Sequence, residues 1–215
     1  THAIVAADAT PYLEVNSAEK RSGKTRLLEI LDLLVRQSWF TGRTTSAALM
    51  RKVDRVCPTL LLDESDAAFK GDKEYSEALR GILNSGHRRG GKTTVCVGQG
   101  ANMSDRDFST FCAKAIAGIG KLPDTVGDRS IPITLKRRSS RESVARFRYR
   151  DAVTETSPLR CQTAAWAPQA ISVLRDARPE IPPTLDDRAA DGWEPLLAIA
   201  DLAGGDWPAK ARVAA

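Results

Sequence analysis

The sequence predicts an α/β fold, with a parallel-sheet core followed by a helical carboxyl-terminal portion. Short apolar runs rich in strand formers alternate with helical patterns through the first part of the chain. Residues 60–62 form a continuous run of leucines bounded by turn signals, which is typical of a strand buried on both faces. After residue 138 helical spacing takes over. We therefore predict an α/β core at residues 1–138 and a helical subdomain, or lid, at residues 139–215.

The best-defined motif is a strand, a polar loop and a helix within residues 11–36. Strand formers at 12–15 precede the loop, and leucines recur at three- and four-residue intervals after Lys24. A loop that ends in Gly-Lys-Thr before a helix is the context of a phosphate-binding P-loop, or Walker A motif. Lys24 would reach the β and γ phosphates of ATP, and Thr25 would hold Mg²⁺. Backbone N–H groups would bind the phosphates along the residues predicted to contact ATP: Ala18, Glu19, Lys20, Arg21, Ser22, Gly23, Lys24, Thr25 and Arg26.

One position departs from the usual G-x-x-x-x-G-K-[ST] pattern, and a second segment fits that pattern fully. Ala18 stands where glycine is usual, so we expect the loop entry to adopt a slightly different backbone, because alanine tolerates positive φ poorly. Residues 86–93 match every position, but they follow a helical pattern and lead into a β-branched run. A phosphate loop needs a helix after its Lys-Thr pair, so we assign the site to Lys24 rather than Lys92.

Two acids, Asp63 and Glu64, follow the buried leucine run. Because ligands bind at the carboxyl ends of parallel strands, these acids are expected beside the P-loop as a Walker B motif. Asp63 would act on Mg²⁺ with Thr25, and Glu64 would polarise the water that attacks the γ-phosphate. The alternative is an ordinary helix cap formed with Asp66; the P-loop upstream favours the nucleotide site.

The remaining patterns predict alternating helices and strands, and no repeat is visible. The predicted elements are a short helix at 2–8, a helix capped by Thr45 or Ser46, a helix at 74–85, a hairpin with arms at 93–97 and 108–112, strands at 114–120 and 131–135 around a short turn or helix at 122–129, and helices within 139–178, 187–203 and 207–215.

Composition indicates a soluble cytoplasmic protein. Hydrophobic residues make up 42% and charged residues 27%, no apolar run reaches 18 residues, and no signal-peptide pattern is visible. The four cysteines lie far apart without metal-ligand spacing, as expected of free thiols in a reducing compartment rather than a structural zinc site. The chain begins with Thr1, which indicates an excised fragment or a processed chain.

The positive charge is concentrated in one window. The net charge is +5, and residues 129–150 carry eight basic residues against the single acid Glu142. Within residues 146–150 cations alternate with aromatic residues, a pattern that suits neutralisation of a nucleic-acid backbone and stacking on single-stranded bases. We therefore predict DNA contacts at Arg146 and Arg148. The alternative is a solvated basic face, or contact with acidic patches on a neighbouring subunit.

The order of these motifs resembles the AAA+ branch of P-loop ATPases: phosphate loop, acidic strand, a strand ending at a sensor position, a short helix with an arginine, and a helical lid. More specifically, residues 17–31, 58–66, 79–91, 114–133 and 187–208 look like an actinobacterial and phage family of unknown function that occurs in predicted replicative helicase–primase proteins. The resemblance implies a P-loop NTPase fold, use of ATP and Mg²⁺, and action on DNA in phage, prophage or plasmid replication. It also implies a flanking domain, primase-type or other, that this stretch would lack.

Further roles follow from the resemblance alone. Arg129 stands where AAA+ proteins carry an arginine finger, which acts on a neighbouring subunit and so implies a homo-oligomer such as a hexameric ring. The alternative is a salt bridge with Asp128 or Asp124. The predicted hairpin stands where AAA+ helicases carry a hairpin that meets DNA, with Arg88, Arg89 and Lys92 at its base. Glycines occupy the sensor position near 118–120, and Gln99 and Asn102 are possible substitutes.

The sequence therefore predicts a ring-forming ATPase that couples hydrolysis to movement on DNA. The alternative is an ATP-driven protein remodeller or nucleotide switch that does not bind DNA, and DNA-stimulated turnover separates the two. A small-molecule kinase is a third reading, but adjacent Asp63 and Glu64 suit hydrolysis better.

Overall fold

A five-stranded parallel sheet forms the centre of the protein, which we describe from a computed structural model over residues 1–42, 44–71, 73–98 and 102–215. The strands of this sheet stand in the order β2-β3-β6-β1-β7, and β4 and β5 form a separate antiparallel hairpin. The strands are β1 (Tyr12–Ser17), β2 (Ser38–Thr41), β3 (Thr59–Leu62), β4 (Lys92–Val97), β5 (Ser104–Ser109), β6 (Lys114–Ile119) and β7 (Ser130–Thr134). The predicted α/β class and parallel sheet are confirmed.

Helices cover both faces of the sheet. They are α1 (Lys24–Leu34), α2 (Ser46–Val56), α3 (Ser65–Lys70), α4 (Lys73–Ser85), α5 (Asp124–Gly127), α6 (Tyr149–Asp176), α7 (Asp187–Ala203) and α8 (Trp207–Ala214), with one 3₁₀ turn at Ile4–Ala6. In the described residues no helix combines the length and apolar character needed to cross a bilayer.

Strand β3 shows how the sheet is buried. Leu60 and Leu62 pack among α2 and α4 on one face, whereas Leu61 packs against α1 on the other. All three leucines are fully or almost fully buried, so the apolar run is explained by burial on both faces. This strand was predicted correctly because both of its faces are apolar and buried, which leaves an uninterrupted apolar run in the sequence.

Several predicted boundaries were wrong. The amino-terminal helix at 2–8 is only the 3₁₀ turn, and the strand β2 around Trp39 was not predicted as a strand. The second hairpin arm is Ser104–Ser109 rather than 108–112, because the charged residues 105–107 face solvent and pair with β4 across the hairpin. Helix α6 begins at Tyr149, so residues 135–148 form no helix. We call residues 135–148 the basic linker.

The second glycine-rich segment, residues 86–93, connects α4 to β4. Lys92 is the first residue of a strand, so no helix follows its Lys-Thr pair. A side chain at Gly86 would meet the carbonyl oxygen of Thr110 at 2.3 Å. Buried Lys114 donates from Nζ to the carbonyl oxygens of Gly86, Thr110 and Cys112 at 2.9–3.1 Å, and burial lowers its pKa. Gly86 thus serves close backbone packing around Lys114, whereas Gly91 packs against the carbonyl of Ser85 and Gly90 adopts a left-handed backbone with φ 85°.

Candidate nucleotide-binding site

The loop between β1 and α1, residues 18–23, turns through two residues with left-handed backbone. Arg21 has φ 63° and Gly23 has φ 93°, whereas Ala18 is not among the residues of positive φ. The turn is thus made late in the loop, where glycine is present, and the entry uses a conformation that alanine tolerates. An altered backbone at Ala18, relative to a loop with glycine there, stays a prediction. We call residues 17–25 the candidate phosphate loop.

The Lys24 ammonium group is folded into the candidate phosphate loop. Its Nζ donates to Ser17 Oγ at 2.6 Å, to the Glu19 carbonyl oxygen at 3.3 Å and to Ser22 Oγ at 3.5 Å. Ser17 Oγ in turn donates to the same Glu19 carbonyl at 2.7 Å. These oxygens hold the cation at the amino end of α1, where the helix dipole and free N–H groups favour an anion.

The loop and the acidic strand meet through one hydrogen bond. Thr25 Oγ1, in the first turn of α1, donates to Asp63 Oδ2 at 2.8 Å. Asp63 is held in place because its N–H donates to the Thr41 carbonyl at 3.0 Å and its Oδ1 accepts from the Glu64 N–H at 2.9 Å. Two residues 38 positions apart in sequence are therefore brought together as their motifs predicted.

Glu64 sits at the turn between β3 and α3 in a strained conformation. Its backbone is left-handed, with φ 54° and ψ 40°, and its side chain is exposed. It makes no capping hydrogen bond to α3, and Asp66 instead accepts from the Ile119 N–H of β6 at 3.1 Å. The helix-cap alternative therefore does not account for these acids. Strain in a non-glycine residue often marks a functional position.

Replacing Glu64 by glycine tests whether this strain is retained for function. We expect Glu64→Gly to raise the free energy of unfolding by about 1 kcal/mol, since a left-handed residue other than glycine costs about that much, and to abolish ATP hydrolysis. Gln37→Gly is the matched control, because Gln37 is also exposed and left-handed, with φ 46°. It should stabilise equally and leave turnover unchanged. Urea unfolding and a phosphate-release assay measure the two effects; equal turnover in both variants would contradict the role of Glu64.

The donor set suits Mg²⁺ held jointly with a phosphate. A hydroxyl and a carboxylate oxygen lie 2.8 Å apart at Thr25 and Asp63, and hard oxygen donors of this kind are what Mg²⁺ prefers. Across the described ranges no group of three or more His, Cys, Asp or Glu residues could hold a metal alone. Since Mg²⁺ is usually bound by one or two side chains together with substrate phosphates, two protein ligands are sufficient.

The predicted sensor position carries no side chain. Gly118, near the end of β6, approaches Ser65 so closely that a Cβ would lie 2.3 Å from the serine Oγ. Its neighbour in register on β1 is Asn16, whose Nδ2 donates to Glu14 Oε1 at 3.3 Å. Asn16 and Ser65 were missed from the sequence, because the pairing of β1 with β6 places Asn16 here and the packing of α3 on β6 places Ser65. Of the two predicted substitutes, Asn102 lies exposed at the hairpin tip and Gln99 lies outside the described residues.

Arg129 lies beside the amino ends of the strands, whereas the candidate phosphate loop follows the carboxyl end of β1. Its carbonyl accepts from the N–H of Tyr12, the first residue of β1, about 17 Å along the strand from Ser17. One guanidinium nitrogen donates to the Thr125 carbonyl, and its Nε is buried without a partner among the described residues. Asp128 pairs with Arg188 instead, at 3.0 Å. The predicted alternative of a salt bridge from Arg129 to Asp128 is therefore not formed.

A cavity of about 620 Å³ opens beside Arg129. His87, Arg88 and Arg188 line it together with aspartates of α7 and its cap. Burial, together with the positive charges of Arg129 and Arg88, lowers the pKa of His87. An arginine placed here cannot reach the candidate phosphate loop of its own chain.

The three basic residues predicted at the hairpin base all have partners within the chain. Arg88 pairs with Asp191, and Lys92 pairs with Asp107 at 3.3 Å. Arg89 donates to the carbonyls of Ala7 and Ile4 at 2.8 and 2.9 Å and stacks on a phenylalanine ring. Their contact with DNA stays a prediction; Arg88 and Lys92 already share their positive charge with a carboxylate.

A family match covers the basic linker and the carboxyl-terminal helices. Residues 134–215, under half of the chain, match the family described as "Protein of unknown function (DUF3631)". An 81-residue stretch, 38% of the chain, is 46% identical to the "Uncharacterized 28.9 kDa protein in xis 5'region" of Saccharopolyspora erythraea and covers only 30% of that relative. Both matches are consistent with an actinobacterial and phage family of unknown function. Lys24, Asp63 and Glu64 lie outside the residues that match the family.

Proposed function

We propose that this protein is a Mg²⁺-dependent P-loop ATPase. The observation that carries the proposal is the 2.8 Å hydrogen bond between Thr25 and Asp63, which joins the amino end of α1 to the carboxyl end of β3. Strand β6 lies between β1 and β3, so the loop, the acids and the sensor position end side by side. This arrangement supports the AAA+ resemblance of the motifs.

Each residue would have a distinct role in hydrolysis. Lys24 and the loop N–H groups neutralise the phosphate oxygens, where charge develops as the γ-phosphoryl group leaves. Thr25 and Asp63 would hold Mg²⁺, which supplies further charge neutralisation. Glu64 would accept a hydrogen bond from the attacking water and so orient it.

We further propose that hydrolysis is coupled to DNA by a ring of subunits. Arg129 would act in trans, because it lies beside the amino ends of the strands, away from its own loop. Around the start of α6, Arg148, Tyr149 and Arg150 are all exposed and offer two cations beside an aromatic ring for single-stranded DNA. The alternative, a protein remodeller or nucleotide switch, would use the same ATP site without DNA.

The coupling is tested by measuring ATP turnover against protein concentration, with and without single-stranded DNA. We expect specific activity to rise with protein concentration and with DNA. Arg129→Ala should abolish both increases, while Arg160→Ala, an exposed arginine of α6, should change neither. Turnover that is linear in protein, indifferent to DNA and unchanged in Arg129→Ala would reject the ring motor and favour the nucleotide switch.

A further inference from the structure

The basic linker lies against the candidate phosphate loop rather than projecting away from the core. Together they enclose an open cleft of about 970 Å³. Arg21 and Arg26 line it from the loop side, and Lys136, Arg138, Arg146 and Phe147 line it from the linker side. The sequence alone gave no reason to expect this contact, because the linker begins more than 100 residues after the loop.

Three contacts fix the linker in this position. The guanidinium group of Arg26, in the first turn of α1, stacks over the Phe147 ring at 4.2 Å from its centroid. Directly after the linker, α6 packs along α1. The far end of the linker is tied to the sheet, where the Leu135 N–H donates to the Asn16 carbonyl at 2.8 Å.

The cleft carries an excess of unpaired positive charge. The single acid among its described lining residues is Glu142, whose carboxylate already accepts from the Ser139 N–H at 2.7 Å. In the part of the chain that the structure describes, neither Arg138 nor Arg146 has an ion-pair or hydrogen-bond partner for its guanidinium group, and both residues are exposed. Arg26 pairs with Glu29, but Arg138 and Arg146 converge on the cleft without a protein anion, an arrangement suited to an anionic ligand.

The position of the cleft indicates which part of a nucleotide would lie in it. Thr25 points to Asp63 on β3, the side where Mg²⁺ and the γ-phosphate belong. Gly23, the residue before α1, and Arg26, in the first turn of α1, line the cleft on the other flank of the same turn. A nucleotide that extends from the loop into the cleft would place its α-phosphate, ribose and base there.

We propose that the basic linker is the second wall of the nucleotide site. Arg138 and Arg146 bind the α-phosphate and ribose end of a nucleoside di- or triphosphate, and Phe147 with Arg26 holds the linker in place. This inference rests on the proposed ATPase function, and it assigns Arg146 to the nucleotide rather than to DNA.

The test is equilibrium binding of ATP and ADP to the 215-residue chain, measured by calorimetry with Mg²⁺ and without DNA. The variant is Arg138→Ala/Arg146→Ala. The matched control is Arg137→Ala/Arg141→Ala, which removes the same charge from the same linker at exposed positions that do not line the cleft. We expect the first variant to weaken both nucleotides about 10-fold or more, as for loss of charge-assisted hydrogen bonds, and the control to bind like the wild type.

Each other result overturns the inference, and the results differ in what else they reject. If the wild type binds no nucleotide, the proposed function falls with it. If the wild type binds and Arg138→Ala/Arg146→Ala binds equally well, only the linker's role is wrong. Equal losses in both double variants would mean general charge attraction. A separate titration of the same proteins with single-stranded DNA completes the test: lost DNA binding with nucleotide affinity intact would make the linker a DNA surface. Thermal melts of all three proteins check that they are equally folded.

Discussion

Lys24→Ala is expected to lower ATP turnover by about 100- to 1000-fold, the cost typical of removing one preorganised donor from developing transition-state charge. The Lys24 ammonium is already held at the amino end of α1 by Ser17, Glu19 and Ser22. An incoming phosphate would replace these oxygens as its partner. Steady-state phosphate release at saturating ATP measures the effect.

Lys92→Ala is the matched control for this prediction. Lys92 belongs to the segment that fits the written P-loop pattern better, yet it starts strand β4 and pairs with Asp107. We expect its basal turnover, measured without DNA, to equal that of the wild type. The reverse outcome, with Lys92→Ala inactive and Lys24→Ala active, would show that the nucleotide site is misplaced.

Glu64→Gln is expected to reduce the maximal turnover by about 100- to 10,000-fold, the range for loss of a general base. The amide preserves size and the exposed position at the start of α3, but it cannot accept a proton from water. Because the exposed Glu64 side chain has no hydrogen bond to the candidate phosphate loop among the described residues, ATP affinity should be unchanged. Single-turnover hydrolysis and equilibrium ATP binding, measured on one preparation, separate chemistry from binding.

Two controls define the result for Glu64. Glu77→Gln removes an acid from an exposed position of α4 and should leave both quantities unaltered. Asp63→Asn should instead weaken Mg²⁺-dependent binding, because its oxygen lies 2.8 Å from Thr25. Unimpaired single-turnover hydrolysis in Glu64→Gln would remove Glu64 from the mechanism and leave Asp63 as the only functional acid of this pair.

Local patterns were sufficient for elements whose environment is uniform. Leu60, Leu61 and Leu62 read as a strand because both faces of β3 are buried, and α7 was predicted at its observed bounds, Asp187–Ala203, because an aspartate caps its start and Gly204 ends it. Strand β2 was missed because its four residues are only half-buried at the sheet edge, so they carry no clear period.

In the candidate site, too, some features follow from local sequence and others from tertiary packing. Sequence alone determined the α/β class, the Gly23-Lys24-Thr25 loop and the acids after β3, because strand, turn and helix signals are local and the carboxyl ends of parallel strands must share an edge. Only the tertiary structure decided that Asn16 and Ser65 flank Gly118, that Arg129 lies beside the amino ends of the strands, and that the basic linker folds against the loop. Those placements depend on strand order and on the packing of α6 along α1, and contacts between residues so distant in sequence leave no periodic signal in the chain.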